Sequence, residues 1–188
     1  MENTKTKRLS TKSMVLCAMF TALVAVGAFI QIPVPYMDYF TLQFFFVLLA
    51  GLILGADKGA ISVGCYVLLG LVGVPIFAAG GGIGYIFRPS FGYLVGFIVS
   101  AYVTGKVCEK LKASYKNYLL ACLAGFVVTY AIGIVYKFII LNFYAHTPAT
   151  LGVIFLSCFP LDMPGDFVLC LLAAGVGLRM RKSGFYLS

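Results

Sequence analysis

Few side chains in this 188-residue chain could do chemistry, because only 11% of its residues are charged. Arg88, Lys137 and Asp166 stand out: each sits in or beside an apolar stretch, away from the basic clusters that end such stretches. Charge inside a membrane costs at least about 2.5–3.5 kcal/mol per group on insertion scales, so an ion kept there has a partner or a ligand. Lys137 has two readings, a lysine snorkelling to an interface or one facing a ligand. Asp166 follows Pro164 and Gly165 where a helix would begin, so it either caps free amides or accepts hydrogen bonds from a bound molecule. Arg88 is either a loop cation or a grip on an anion. Three such groups on one membrane side suit a small molecule with a carboxylate and a polar head.

Between Phe77 and Pro89 lies a glycine-rich loop containing Gly80, Gly81, Gly82 and Gly84. It has no preceding strand and no closing Lys with Ser or Thr, so it is not a phosphate-binding P-loop. Backbone without side chains can fold back between helices and offer amides to a ligand, provided protein covers it or it lines a wet cavity. Gln43, Gly82 and Tyr85, with Arg88, Lys137 and Asp166, make up the candidate substrate-binding set. No Ser-His-Asp set, no paired acids at catalytic spacing and no HExxH motif is present, so no enzyme is expected. The six cysteines form no CxxC pair and read as small core hydrophobes. His146, the single histidine, has no Cys, Asp or Glu at ligand spacing; neither a metal nor a cofactor is expected.

The elements that must position these residues are membrane helices. With 62% hydrophobic residues and a mean hydropathy of +1.02, the chain does not have a soluble composition. Helices are predicted over residues 14–32, 39–54, 59–74, 91–107, 118–142 and 167–178, with a shorter apolar segment over 150–159. A span needs roughly 20 apolar residues, so this predicts an all-α integral membrane protein with six crossings, the glycine loop between the third and fourth helices, and a short outer helix before the sixth. Residues 1–188 then make one transmembrane substrate-binding domain, with a basic segment over 1–12 and a tail over 183–188. The N-terminal basic residues before an apolar run have a signal-peptide outline, but the run is long and further spans follow, which predicts a retained first helix.

An inside N-terminus puts Lys5, Lys7, Arg8, Lys12, Lys58, Lys106, Lys110, Lys112, Lys116, Arg179, Arg181 and Lys182 in the cytoplasm, all but two of the 14 basic residues. The positive-inside rule thus explains the net charge of +8 without nucleic acid and predicts both termini in the cytoplasm. The outer loops then carry Asp38, Arg88, Asp162 and Asp166. Gly51, Gly55 and Gly59, and Gly92 with Gly96, lie four residues apart and predict close helix packing within the chain in preference to dimerisation. Ala18 and Ala22 in the first helix share that spacing, though alanine pairs are common in any membrane helix.

Motifs in a particular order along the chain resemble a known family. They are Thr41-Leu42-Gln43 leading into Leu48-Leu49-Ala50-Gly51, Gly73-Val74-Pro75 with its glycine loop, Arg88-Pro89-Ser90-Phe91-Gly92-Tyr93, and Pro164-Gly165-Asp166. The ordered set resembles the BioY family, the biotin-specific substrate-binding (S) components of energy-coupling factor transporters. The resemblance implies capture of biotin from outside and delivery through a membrane-embedded coupling subunit with two ABC-type ATPases. It also implies that Ala18 and Ala22 pack on that coupling subunit. The chain departs from the family pattern at Pro89-Ser90-Phe91-Gly92, where many relatives have Pro-Thr-Gly-Gly, and at Leu169, where many have Lys. A ligand carboxylate would then fall to Arg88 or Lys137, and the expectation here is Arg88, through two parallel hydrogen bonds. Gln43 and Asp166 would take the ureido head. Alternative readings are a related acid vitamin such as lipoate, or a self-sufficient secondary transporter.

Overall fold

The computed structural model describes residues 10–32, 40–145, 147, 149–158 and 162–185. The basic stretch with Lys5, Lys7 and Arg8, the Pro33, Pro35 and Asp38 segment, His146 and Pro160 lie outside the described residues.

The first helix, α1 (Thr11–Phe29), opens on Ser10, whose side chain accepts from the Ser13 amide at 3.2 Å as an N-cap. Leu16, Phe20, Val24 and Ala28 form its buried stripe. It stops three residues short of the expected end. A residue before proline is pushed out of helical conformation, and Ile32 precedes Pro33. Gln31–Ile32 (β1) instead pairs antiparallel with Phe40–Thr41 (β2), Gln31 opposite Thr41. The predicted second helix therefore begins at Gln43, after β2, and the fold carries one small strand pair the sequence did not suggest.

Helix α2 (Gln43–Leu54) is buried almost throughout and packs against α1, α3 (Ala56–Val72), α4 (Phe91–Lys110) and α7 (Asp162–Lys182). Only Gly55 separates α2 from α3, at φ 83°, a conformation that favours glycine. Glycine has no side chain with which to cap α3; Glu109 at the end of α4 does so, its Oε1 accepting from the Ala56 amide at 2.9 Å. That cap from another helix lets α3 begin three residues earlier than its own sequence indicated. At its other end Gly73, at φ 117°, closes the helix with the Val74 amide bonded to the Leu69 carbonyl.

The glycine loop contains a 3-10 turn over Ile83–Phe87. Helix α5 (Tyr115–Ile139) continues as a π-helical turn over Ile140–Tyr144, and α6 (Leu151–Cys158) is the short helix expected before the last span. That last helix, α7, starts five residues before its expected position. Pro164 falls in its first turn, where an amide hydrogen has no intrahelical partner to lose. Asp166 consequently lies one turn inside the helix, and Asp162 is the acid of the first turn; the capping reading of Asp166 is corrected by this shift.

Among the described residues, four helices are long and apolar enough to cross a membrane: Thr11–Phe29, Phe91–Lys110, Tyr115–Tyr144 and Asp162–Lys182. Helices α2 and α3 are shorter, 12 and 17 residues. The small residues serve close packing inside this chain. A Cβ on Gly51 would meet the Ala101 carbonyl at 2.5 Å, one on Gly96 the Thr129 backbone at 3.0 Å, and one on Gly125 would collide with the Thr104 hydroxyl.

Candidate substrate-binding site

A cavity opens at the end of the bundle where α2, α4 and α7 begin. Its walls are Phe40 and Thr41 of β2, Gln43 and Phe44 at the start of α2, Ala78 and Tyr85 from the glycine loop, and Pro89, Ser90, Tyr93, Leu94 and Phe97 leading into and along α4. Tyr130 and Lys137 of α5 and Asp162 and Asp166 of α7 complete it. The glycines set the register of α4 against α5. Gly92 lies against Tyr136, Gly96 against Thr129, and Gly125 against Ser100 and Thr104, so the two helices run antiparallel with Phe97 level with Tyr130 and Ser90 level with Lys137.

The cavity therefore has two chemically different ends. Deep in the bundle the Tyr130 hydroxyl donates to Asp166 Oδ2 at 2.8 Å, leaving Oδ1 to accept from a ligand. Aromatic rings surround this pair: Phe44 stacks on Phe97 at 5.9 Å, Phe126 lies 4.7 Å from Tyr130, and Tyr93 meets Tyr130 edge-on at 5.8 Å. Seven residues further along α5, roughly 10.5 Å by helical rise, the half-buried Lys137 ammonium donates to Ser157 Oγ at 3.4 Å. A ligand bound here is offered acceptors and flat apolar faces at one end and a cation at the other.

Gln43 joins the set at the start of α2, only 3% exposed. Its Nε2 donates to the Tyr66 hydroxyl at 2.6 Å, and its Oε1 accepts from Thr41 Oγ1 at 3.2 Å. One amide hydrogen and one lone pair remain for a ligand.

Of the six expected binding residues, Gln43, Tyr85, Lys137 and Asp166 line the cavity together. Arg88 is exposed and does not border it; its guanidinium lies 5.4 Å from the centroid of the Tyr85 ring, over the face. Gly82 starts the 3-10 turn that carries Tyr85, and its amide donates to the Gly70 carbonyl at 2.7 Å. That amide is committed to holding the loop on α3 and is not offered to a ligand. Ala18 and Ala22 are both exposed on α1 and take no part in the cavity. Sequence reasoning missed the aromatic lining, Phe44, Tyr93, Phe97 and Tyr130. Their spacing is the same as that of core or lipid-facing aromatics, and only the register of α4 on α5 separates the cases. Among the described residues no group of three or more His, Cys, Asp or Glu could hold a metal ion, and all six cysteines are free.

The profile of the BioY family matches residues 2–184. The chain belongs to the BioY family. Among BioY relatives, the probable biotin transporter BioY of Lysinibacillus sphaericus is 40% identical over 177 residues, 94% of this chain and 90% of that protein. The biotin transporter BioY of Thermotoga maritima is 38% identical over 175 residues, 91% of this chain and 96% of that protein. The fold is also similar to a crystal structure of the S-component for biotin from an ECF-type ABC transporter, with a TM-score of 0.81 and 25% identity, over 93% of this chain and 95% of that one. These BioY relatives are named as transporters, in keeping with a multi-pass membrane protein that handles a small molecule.

Proposed function

We propose that this BioY-family protein is the biotin-binding S component of an ECF-type importer. It captures the vitamin from outside and hands it to a coupling subunit driven by two ABC-type ATPases. The observation that carries the reading is the two-ended cavity, with the Asp166–Tyr130 pair and Gln43 on one side and Lys137 two helical turns away. A ureido head has N–H donors for Asp166 and a carbonyl for Gln43, its fused rings suit the aromatic walls, and a valerate tail reaches towards the ammonium. The carboxylate goes to Lys137 in this reading, because Lys137 borders the cavity and Arg88 does not.

The chain is taken to cross the membrane six times, with α2 and α3 as shortened spans buried by their neighbours. Lys58 in the first turn of α3, the basic residues around the α4–α5 turn and those at the end of α7 gather at the end opposite the cavity, where the Glu109–Ala56 bond ties α4 to α3 and Arg181 donates to the Tyr118 hydroxyl at 3.1 Å. The positive-inside rule makes that end cytoplasmic, with both termini there, so the cavity opens outward. The exposed Ala18 and Ala22 offer α1 to the coupling subunit.

Equilibrium binding of biotin and lipoate to the purified protein is the test. Biotin tighter than about micromolar and lipoate much weaker are expected, since lipoate lacks the ureido group that the deep end is suited to pair. Biotin weaker than micromolar would sink the reading, and biotin flux into liposomes by this chain alone would favour a self-sufficient secondary transporter.

A further inference from the structure

Behind the cavity wall, Tyr66 of α3 is fully buried and joins two parts of the molecule that both face the ligand. Its hydroxyl donates to the Ile76 carbonyl at 3.1 Å and accepts from Gln43 Nε2 at 2.6 Å. Its ring meets Phe77 edge-on at 5.5 Å, and Phe77 in turn lies 4.6 Å from Tyr85, which borders the cavity. A backbone carbonyl can only accept, so the single hydroxyl proton of Tyr66 is spent on Ile76 and its oxygen must face a donor. That requirement turns the amide of Gln43 one way, Nε2 towards Tyr66 and Oε1 towards Thr41, whose hydroxyl donates to it. Without Tyr66 the amide could flip, and the hydrogen and the lone pair it leaves for a ligand would exchange places.

We infer that Tyr66 is a positioning residue for ligand recognition. Through its bond to the Ile76 carbonyl it fixes the polarity of the Gln43 amide, so that Gln43 presents an N–H to a ligand carbonyl. The glycine loop is part of the same device, because Ile76 leads directly into it and Phe77, its first residue, packs on the Tyr66 ring: the loop must be seated for Gln43 to be oriented. This rests on the proposed capture of biotin, whose ureido oxygen is the acceptor concerned.

The experiment is a double-mutant cycle on the full-length purified protein, with biotin affinity measured by titration calorimetry for wild type, Tyr66→Phe, Gln43→Ala and the double variant. Tyr66→Phe keeps the ring and removes only the hydroxyl. It is expected to weaken biotin about fivefold or more, and to cost nothing further once Gln43 is alanine. Losses that multiply in the double variant would show that the Tyr66 hydroxyl acts independently of Gln43 and overturn the inference, and unchanged affinity in Tyr66→Phe would remove the role altogether. Should Tyr66→Phe not fold, Gln43→Glu carries the test: glutamate has the shape of glutamine but no hydrogen for the Tyr66 oxygen, so biotin binding falls, whereas retained binding overturns the inference. Wild-type protein that does not bind biotin overturns the functional reading and this one together, a result distinct from any of the variant outcomes.

Discussion

Asp166 owes its place to a helix that starts earlier than its prolines suggest. Set one turn into α7, it has no amides to cap and instead meets the Tyr130 hydroxyl. Asp166→Asn keeps the shape and removes the charge, so it is expected to weaken biotin binding by at least about 1.5 kcal/mol, the low end for hydrogen bonds to charged groups. Calorimetry on folded mutant protein checks this, and unchanged affinity would reduce Asp166 to a support for Tyr130. The two cations at the cavity end of the bundle make opposite predictions. Lys137→Ala should cost biotin more binding energy than biotin amide, whose tail is neutral, while Arg88→Ala should affect the two ligands alike, because Arg88 is seated over Tyr85 outside the cavity. A selective loss in Arg88→Ala would return the carboxylate to the glycine loop.

At the level of helices, the α2–α3 turn is held by a side chain from elsewhere. Helix α3 begins at Ala56 after a glycine that cannot cap it, and Glu109 of α4 supplies the missing acceptor. Helix caps typically contribute about 1 kcal/mol, so Glu109→Ala is expected to lower stability by roughly that amount and Glu109→Gln by less. Thermal unfolding in detergent measures it, and biotin affinity should not change, since Glu109 lies at the far end of the bundle from the cavity. Equal stability of the alanine variant and wild type would mean that water replaces the carboxylate at no cost. The neighbouring Lys106, with Nζ 3.7 Å from Glu109 and about half exposed, adds little to this account.

Across the whole molecule, the proposed function gives ligand and partner different surfaces. The cavity lies among α2, α4, α5 and α7, while Ala18 and Ala22 leave a low ridge on the free face of α1. Ala18→Trp combined with Ala22→Trp is therefore expected to abolish biotin uptake in cells that carry the coupling module, with binding by the purified protein intact. Uptake that persists at normal protein levels would remove α1 from the interface.

What was legible in the sequence follows from solvent and chain chemistry. The apolar runs and their proline and glycine ends are local properties that lipid and water select on directly, so an all-helical membrane protein could be read from them, and the ordered motifs carried the family. Gln43, Lys137 and Asp166 also stood out in the sequence as polar groups in an apolar setting, and the fold brings them to one cavity. Tertiary structure alone decided the rest. The start of α3 depends on a carboxylate 53 residues away, and the aromatic lining depends on the register in which Gly92, Gly96 and Gly125 seat α4 against α5. Whether Arg88 or Lys137 enters the cavity was equally beyond the sequence, since both are cations near one end of the bundle. Which of them faces inward is set by helix packing, and packing is a property of surfaces brought together from distant parts of the chain.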